Sequence, residues 1–344
     1  MDIDIPKMDL YKKDVETDRL LPGDIVAQDI YLKSGALVIK AGAVLNDKTI
    51  DRLKNMGPRL VTIDLTQVYM DAVEDSKMLM KKAAEGKPVT SEMVESMVQP
   101  IMREVRRERN ISRLLIQLQS QDDYTFQHTI NIGVISMVIA QWIGYKDTDE
   151  LTRIAMAGTL HDIGKSKIPK EILKKPNSLT AKEFETMKKH PYLGYRILNK
   201  TGTYDESIEL AVLQHHERDD GKGYPDGLVG NKIHPYAKII AVADVYHAMT
   251  SERVYKDKID PFAVLDYLLN NIGNLDARIV LTFIDSMLNC LLGCRVVLNN
   301  GSTGRIIFVE RDFIACPLVK LDNSSTILNL REHRDMRIDE IIEI

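Results

Sequence analysis

The stretch Ala155-Met156-Ala157-Gly158-Thr159-Leu160-His161-Asp162-Ile163-Gly164-Lys165 is an apolar helical run that ends on an adjacent histidine–aspartate pair. His215-His216 forms a second pair in apolar helical context, and Asp244 closes the run Ala241-Val242-Ala243-Asp244. The chain has eight histidines, and all but His333 fall in this helical block. Burying so many imidazoles and carboxylates without partners would cost on the order of several kcal/mol. Metal coordination would satisfy His128, His161, His190, His215, His216, Asp162 and Asp244 together. Imidazole and carboxylate ligands suit iron, manganese or zinc, and the absence of nearby thiolates disfavours soft sites. Five histidines and two aspartates exceed the needs of one ion, so two divalent ions are the simplest answer. Two cations roughly 3.5–4 Å apart can activate a shared water and stabilise an attacked phosphate. A carboxylate suits the bridge because it has two oxygens. Asp162, beside His161 and near the helix end marked by Gly164, is the natural candidate.

Outward from this core, residues 120–292 carry helix grammar almost throughout. Thr180 with Glu183 is a capping box opening a helix towards His190. Asp260-Pro261 is a cap followed by proline at the first helical position, Gly273 closes that helix, and the helix Arg278 to Leu292 stops at Gly293. Upstream, Val94, Met97, Val98, Ile101 and Val105 recur at helical spacing after a Ser91 cap, and Pro100 is expected to kink or interrupt that helix. Its Arg103, Arg106 and Arg107 are interleaved with Glu104 and Glu108 and read as a solvated face. Both flanks read as β structure. Between residues 20 and 65, turn signals separate short runs such as Ile25–Ala27 and Ala36–Ile39, Asp47 caps a short helix through Leu53, and Leu60–Ile63 is a strand. In the tail, Arg295–Leu298, Arg305–Val309, Leu318–Leu321 and Thr326–Leu330 are strands of a small antiparallel meander or partial barrel. The expected fold class is mainly α. Residues 1–66 form a small β-rich module, 67–119 a helical linker, 120–293 the catalytic domain and 294–344 a small antiparallel β module.

Composition removes several classes. At 344 residues, 44% hydrophobic and 28% charged, the chain is ordinary globular material for two or three domains, not a disordered or coiled-coil protein. A net charge of −4 argues against a non-specific DNA binder. The longest apolar stretch, Ile132 to Trp142, falls short of the ~20 residues a spanning helix needs, and the acidic amino terminus is no signal peptide. Cys290, Cys294 and Cys316 are an odd number with no histidine at zinc spacing, which fits a reducing cytoplasm.

His161-Asp162-Ile163-Gly164-Lys165 resembles the signature of the HD superfamily of metal-dependent phosphohydrolases. His215-His216-Glu217-Arg218-Asp219-Asp220-Gly221-Lys222-Gly223-Tyr224-Pro225 resembles the extended motif of its HD-GYP branch. Tyr124-Thr125-Phe126-Gln127-His128, His190-Pro191 with Gly194, and Ala243-Asp244-Val245-Tyr246 with Ala248-Met249-Thr250-Ser251 complete the set in order. The resemblance spans about residues 110–290. It implies an all-helical HD-GYP domain that hydrolyses cyclic di-GMP to linear pGpG, and in many members on to GMP, through a hydroxide bridging two iron or manganese ions. On the matching positions, His128, His161, Asp162 and Asp244 would hold one metal, and His190, His215 and His216 with bridging Asp162 the second. Lys165 would contact the scissile phosphate or assist the leaving oxygen. Arg253 and Lys256 match positions that contact substrate phosphate, and Tyr224 offers a stacking face or a hydroxyl. The implied partners are the cyclic dinucleotide and signalling proteins at the Gly-Tyr-Pro loop, with no DNA and no membrane; a homodimer stays open.

Two departures stand out. His247 occupies a position where relatives commonly have aspartate, three residues after Asp244 and so near the same helix face. Its options are an added ligand, an altered substrate contact or neither. Tyr124 stands where some relatives carry a carboxylate that gathers a third metal, which favours two metals here. The rival readings are a cyclic dinucleotide sensor or interaction module that keeps the fold without turnover, and a hydrolase of a cyclic GMP-AMP dinucleotide. The intact ligand set favours the enzyme.

Overall fold

The computed structural model describes residues 12–32, 34–56, 58–107, 124–251, 260–322 and 324–343. Strands β1 (Lys12–Glu16), β2 (Ile30–Tyr31), β3 (Leu37–Ile39) and β4 (Leu60–Asp64) make two antiparallel pairs, β1 with β4 and β2 with β3. With helix α1 (Asp47–Met56) they enclose a small core of their own, including Val15, Val26, Leu53, Val61 and Ile63. The cap of α1 is Asn46 rather than Asp47. Thr49 N donates to Asn46 Oδ1 at 3.0 Å and Asn46 N donates to Thr49 Oγ1 at 2.7 Å. Asp47 is already the first helical residue, where its charge meets the positive end of the helix dipole.

Helices α2 (Thr66–Ala84) and α3 (Ser91–Arg107) pack against each other and onto the helical body. Their Val73, Leu79, Val94 and Val98 share one apolar core with Ile132, Val138 and Ile154. Pro100 does not interrupt α3. Met97 and Val98 before it and Met102 and Val105 after it are all buried in that core, and this packing holds both halves in one helix. At the centre lies α4 (Tyr124–Trp142), mostly apolar and buried from Gln127 to Ala140, with no side turned to solvent over that stretch. Among the described residues no helix is long and apolar enough to cross a membrane. It crosses α5 (Thr148–Leu160) where Gly133 meets Gly158. A Cβ on Gly133 would lie 2.8 Å from Ala155 O, and one on Gly158 would lie 2.9 Å from Ile132 O. Only glycines allow this approach. It sets His128, near the start of α4, beside His161 at the end of α5.

A 3-10 turn (Ile163–Lys167) follows, then α6 (Lys170–Leu173), α7 (Ala181–Met187), α8 (His190–Asn199), α9 (Glu206–Gln214), α10 (Pro235–Thr250), α11 (Pro261–Asn270) and α12 (Ala277–Leu291). The capping box of Thr180 and Glu183 has both its bonds, and Asp260 caps α11 ahead of Pro261. The tail folds into β5 (Arg295–Leu298), β6 (Thr303–Phe308), β7 (Leu318–Leu321), β8 (Ile327–Asn329) and β9 (Ile338–Glu343), an antiparallel sheet of order β8-β7-β6-β5-β9. The molecule is thus a mainly helical body flanked by small sheets. Three strands escaped the sequence reading, among them the two-residue β2. β1 contains a single apolar residue, Val15, and β9 pairs with β5 through register shifts that break strict alternation.

Candidate metal centre

The seven residues expected to hold metal converge in two adjoining groups, His128 with His161 and Asp244, and Asp162 with His190, His215 and His216. Within each group the ligand atoms lie within 4.8 Å of one another. They arrive from separate elements: α4, the end of α5, the first residue of α8, the residues after α9, and α10. Asp162 faces both groups. Its Oδ2 lies 3.2 Å from His161 Nε2 and 3.8 Å from His128 Nε2, and its Oδ1 lies 3.2 Å from His190 Nε2. Asp244 Oδ1 stands 3.4 Å from His128 Nε2.

Backbone carbonyls set the histidine tautomers. Nδ1 of His161 donates to Gly158 O at 2.7 Å, that of His190 to Met187 O at 2.8 Å, and that of His215 to Val212 O at 2.8 Å. With Nδ1–H committed, each neutral ring turns an Nε2 lone pair inward, as metal-bound histidines do. Nε2 of His190 and of His215 face each other at 3.2 Å. His161 Nε2 and Asp162 Oδ1 are buried with no hydrogen-bond partner. Converging lone pairs and orphaned buried acceptors are what a cation resolves. This donor set fits two divalent metal ions of the imidazole- and carboxylate-loving kind. The 3-10 turn carrying Asp162 packs so tightly on α8 that a Cβ on Gly164 would collide with His190 O and lie 2.5 Å from Gly194 N.

The electrostatics suit the same conclusion. Burial opposes the charge of Asp162, yet His161 and Lys165 beside it hold its carboxyl well below the usual range. Burial likewise opposes the charge of Asp244, and a hydrogen bond and charge interaction with His128 more than compensate. Burial, and then the neighbouring His216, push His215 well below an ordinary imidazole. Burial and His190 bring His216 down to about 3. His128 is lowered by burial against the pull of Asp244. His161 is the exception: burial works against its cation, but the negative charge of Asp162 outweighs that and raises it.

Lys165 Nζ sits 2.5 Å from Asp162 Oδ2, at the partly exposed edge of the centre. The Tyr224 ring lies over His216 with centroids 4.6 Å apart, and its amide donates to His216 O at 3.2 Å. Gly221 supplies the loop's positive φ of 75°. Arg253 and Lys256 lie outside the described residues, and the side chain of Tyr124 is not described. Sequence reasoning quoted Glu217 without giving it work. It is buried, and its carboxylate accepts from Asp226 N at 2.7 Å and Leu228 N at 2.9 Å, pinning the loop under Tyr224. A carboxylate directly after two metal histidines was the available signal.

Residues 88–279 match the family described as HD domain. The chain is 40% identical over 181 residues to the cyclic di-GMP phosphodiesterase response regulator RpfG of Xanthomonas campestris, covering 52% of this chain and 47% of that one. It is 31% identical over 244 residues to the cyclic di-GMP phosphodiesterase PA4108 of Pseudomonas aeruginosa, covering 71% and 58%. It therefore spans about half the length of the curated relatives it matches. Among solved structures, Bd1817, an HDGYP protein from Bdellovibrio bacteriovorus, superposes with a TM-score of 0.53 at 14% identity over 80% of this chain and 99% of that one, a likeness of fold.

Proposed function

The chain belongs to the HD superfamily, in its HD-GYP branch, and from that premise we propose that it is a metal-dependent phosphodiesterase that opens cyclic di-GMP to linear pGpG. The observation that carries this reading is Asp162, whose two oxygens face two separate ligand groups. A metal pair held there supplies Lewis-acid polarisation of the phosphate and activation of water. The protein's own part is positional and electrostatic. His128, His161 and Asp244 hold one ion, His190, His215 and His216 the other, and Asp162 serves both. His215 and His216, kept neutral by burial, present lone pairs without first losing protons. Lys165 steadies the shared carboxylate and brings a cation to the edge where a phosphate oxygen enters. Tyr224, whose ring lies over His216, offers a stacking surface to a base, on a loop held by Glu217. Arg253 and Lys256 would add charge for the second phosphate.

Metal analysis of anaerobically purified protein, paired with turnover of cyclic di-GMP and of cyclic GMP-AMP, tests the reading. About two iron or manganese ions per chain and faster opening of cyclic di-GMP are expected. Preference for cyclic GMP-AMP would change the substrate and keep the chemistry. Tight binding of cyclic di-GMP with no turnover in the metal-loaded protein would establish the sensor reading instead.

A further inference from the structure

The connection from α2 to α3, the end of the 3-10 turn Ile163–Lys167 and the last turns of α8 enclose a cavity of about 550 Å³. None of the seven metal-centre residues lines it. Four cations do: Lys87 from the connection, Lys167 from the turn, and Arg196 and Lys200 one turn apart at the end of α8. None of the described residues lining it is a carboxylate. Lys87 Nζ pairs with Glu85 at 2.6 Å, and Lys167 Nζ donates to Ala84 O at 3.0 Å. Arg196 and Lys200 have neither an ion pair nor a side-chain hydrogen bond among the described residues. Two like charges one helical turn apart repel, so their shared side invites an anion. Pro88, Leu193 and Ile197 give the same cavity an apolar wall.

Charge narrows the ligand. The carboxyl ends of α2 and α8 border the cavity, each worth about half a negative charge, and Glu85 offsets one cation. Set against four cations, they leave about two positive charges. A phosphate monoester carries about 1.5–2 negative charges near neutral pH, against the single charge of a diester. The volume is that of a small-molecule site, and its apolar wall suits a base. Opening a cyclic dinucleotide with water turns one diester into a terminal monoester and a hydroxyl, so the product carries this group and the substrate does not. We propose that the cavity is a second nucleotide site, which takes the terminal phosphate and adjoining nucleoside of the linear product, pGpG or GMP. The choice of nucleotide rests on the phosphodiesterase reading above; the cation cluster does not. The site also has a route to the metal centre. Lys167 ends the turn that follows Asp162, and Arg196 lies on the helix that begins at His190, so a phosphate held by both joins the segments that carry these two ligands.

The test is calorimetric titration of the full-length chain in chelator, so that metal-held phosphate does not contribute, with melting temperature recorded for each variant. GMP and pGpG should bind, with guanosine and inorganic phosphate each about tenfold weaker or more, because one lacks the charge and the other the base. Cyclic di-GMP should not displace GMP. Arg196→Gln combined with Lys200→Gln, both at exposed positions, should weaken GMP by about tenfold or more at unchanged melting temperature. Lys167→Gln, on a different element, should weaken it as well. Absence of GMP binding in chelator overturns the proposal, and so does wild-type affinity in the folded variants. Inorganic phosphate binding as tightly as GMP overturns the nucleotide assignment. Turnover of cyclic di-GMP by the metal-loaded wild type separates the two readings. If it is hydrolysed while GMP does not bind in chelator, only the second site fails. If it is not hydrolysed while GMP binds and the variants lose it, the site stands and the phosphodiesterase reading fails.

Discussion

The two halves of the metal centre are built differently. In the half formed by Asp162, His190, His215 and His216, the described Nδ1 atoms of His190 and His215 are fixed by carbonyls of their own local backbone. In the half formed by His128, His161 and Asp244, which draws on residues 116 positions apart in sequence (128 and 244), His161 is likewise fixed by Gly158 O, while the Nδ1 of His128 lies 3.0 Å from that of His247 on α10. One half is assembled mostly by local helix geometry and the other by which helices face each other. The first kind of site should survive strain elsewhere in the fold. The second should feel it.

The largest expected effect is on the residue the halves share. Asp162→Ala removes negative charge from between two cations, so metal content should fall below one per chain and turnover by about 10³-fold or more. Two bound metals with near-normal turnover would remove Asp162 from the centre. Gly164→Ala comes next and should strike the halves unequally. The added methyl collides with α8 at His190, an overpacking cost of about 1–3 kcal/mol, and the ions should leave the His190 half first. Equal weakening of both sites in a metal titration would show that the halves are not independent.

Acidity offers a gentler contrast. His161 is raised, so in the metal-free protein it keeps its proton to higher pH, and a metal must displace that proton. Affinity at the His128 half should therefore climb with pH, by up to about tenfold per unit, through and above the ordinary imidazole value near 6.5. His215 and His216 are already neutral there, so they contribute no such slope to their half. Chelator competition between pH 6 and 8 measures both slopes, and identical slopes would contradict the assignment. The smallest effect is expected from deleting residues 1–65. That module has its own core, and its described tie to α3 is Lys13, whose ammonium bonds Glu104 O at 2.5 Å. Metal content should stay at two and turnover within about twofold, with the melting temperature lowered by a few degrees, because Glu104 loses its buried partner. Loss of either ion on deletion would show that the module reaches the centre.

The helical body, the flanking strands and the seven ligand candidates were legible because each leaves a local mark. Capping residues, apolar periodicity and the pairing of histidine with aspartate are properties of neighbours in sequence. Asn46 rather than Asp47 as the cap, and the unbroken α3 across Pro100, differ from expectation where packing and hydrogen bonding refine a local preference. β1 and β9 left little trace, since one has a lone apolar residue and the other an irregular register. Glu217 was visible as a residue and invisible as a brace.

By itself the sequence determined that metal-binding chemistry resides here and which side chains supply it, because donor atoms are fixed by residue type. Tertiary structure alone decided that Asp162 faces both groups, that Gly133 and Gly158 let two helices close on the site, and that His247 lies against His128. The reason is directional. A ligand atom, a tautomer and a hydrogen bond all depend on where a ring points, and that is settled by the helix packed against it.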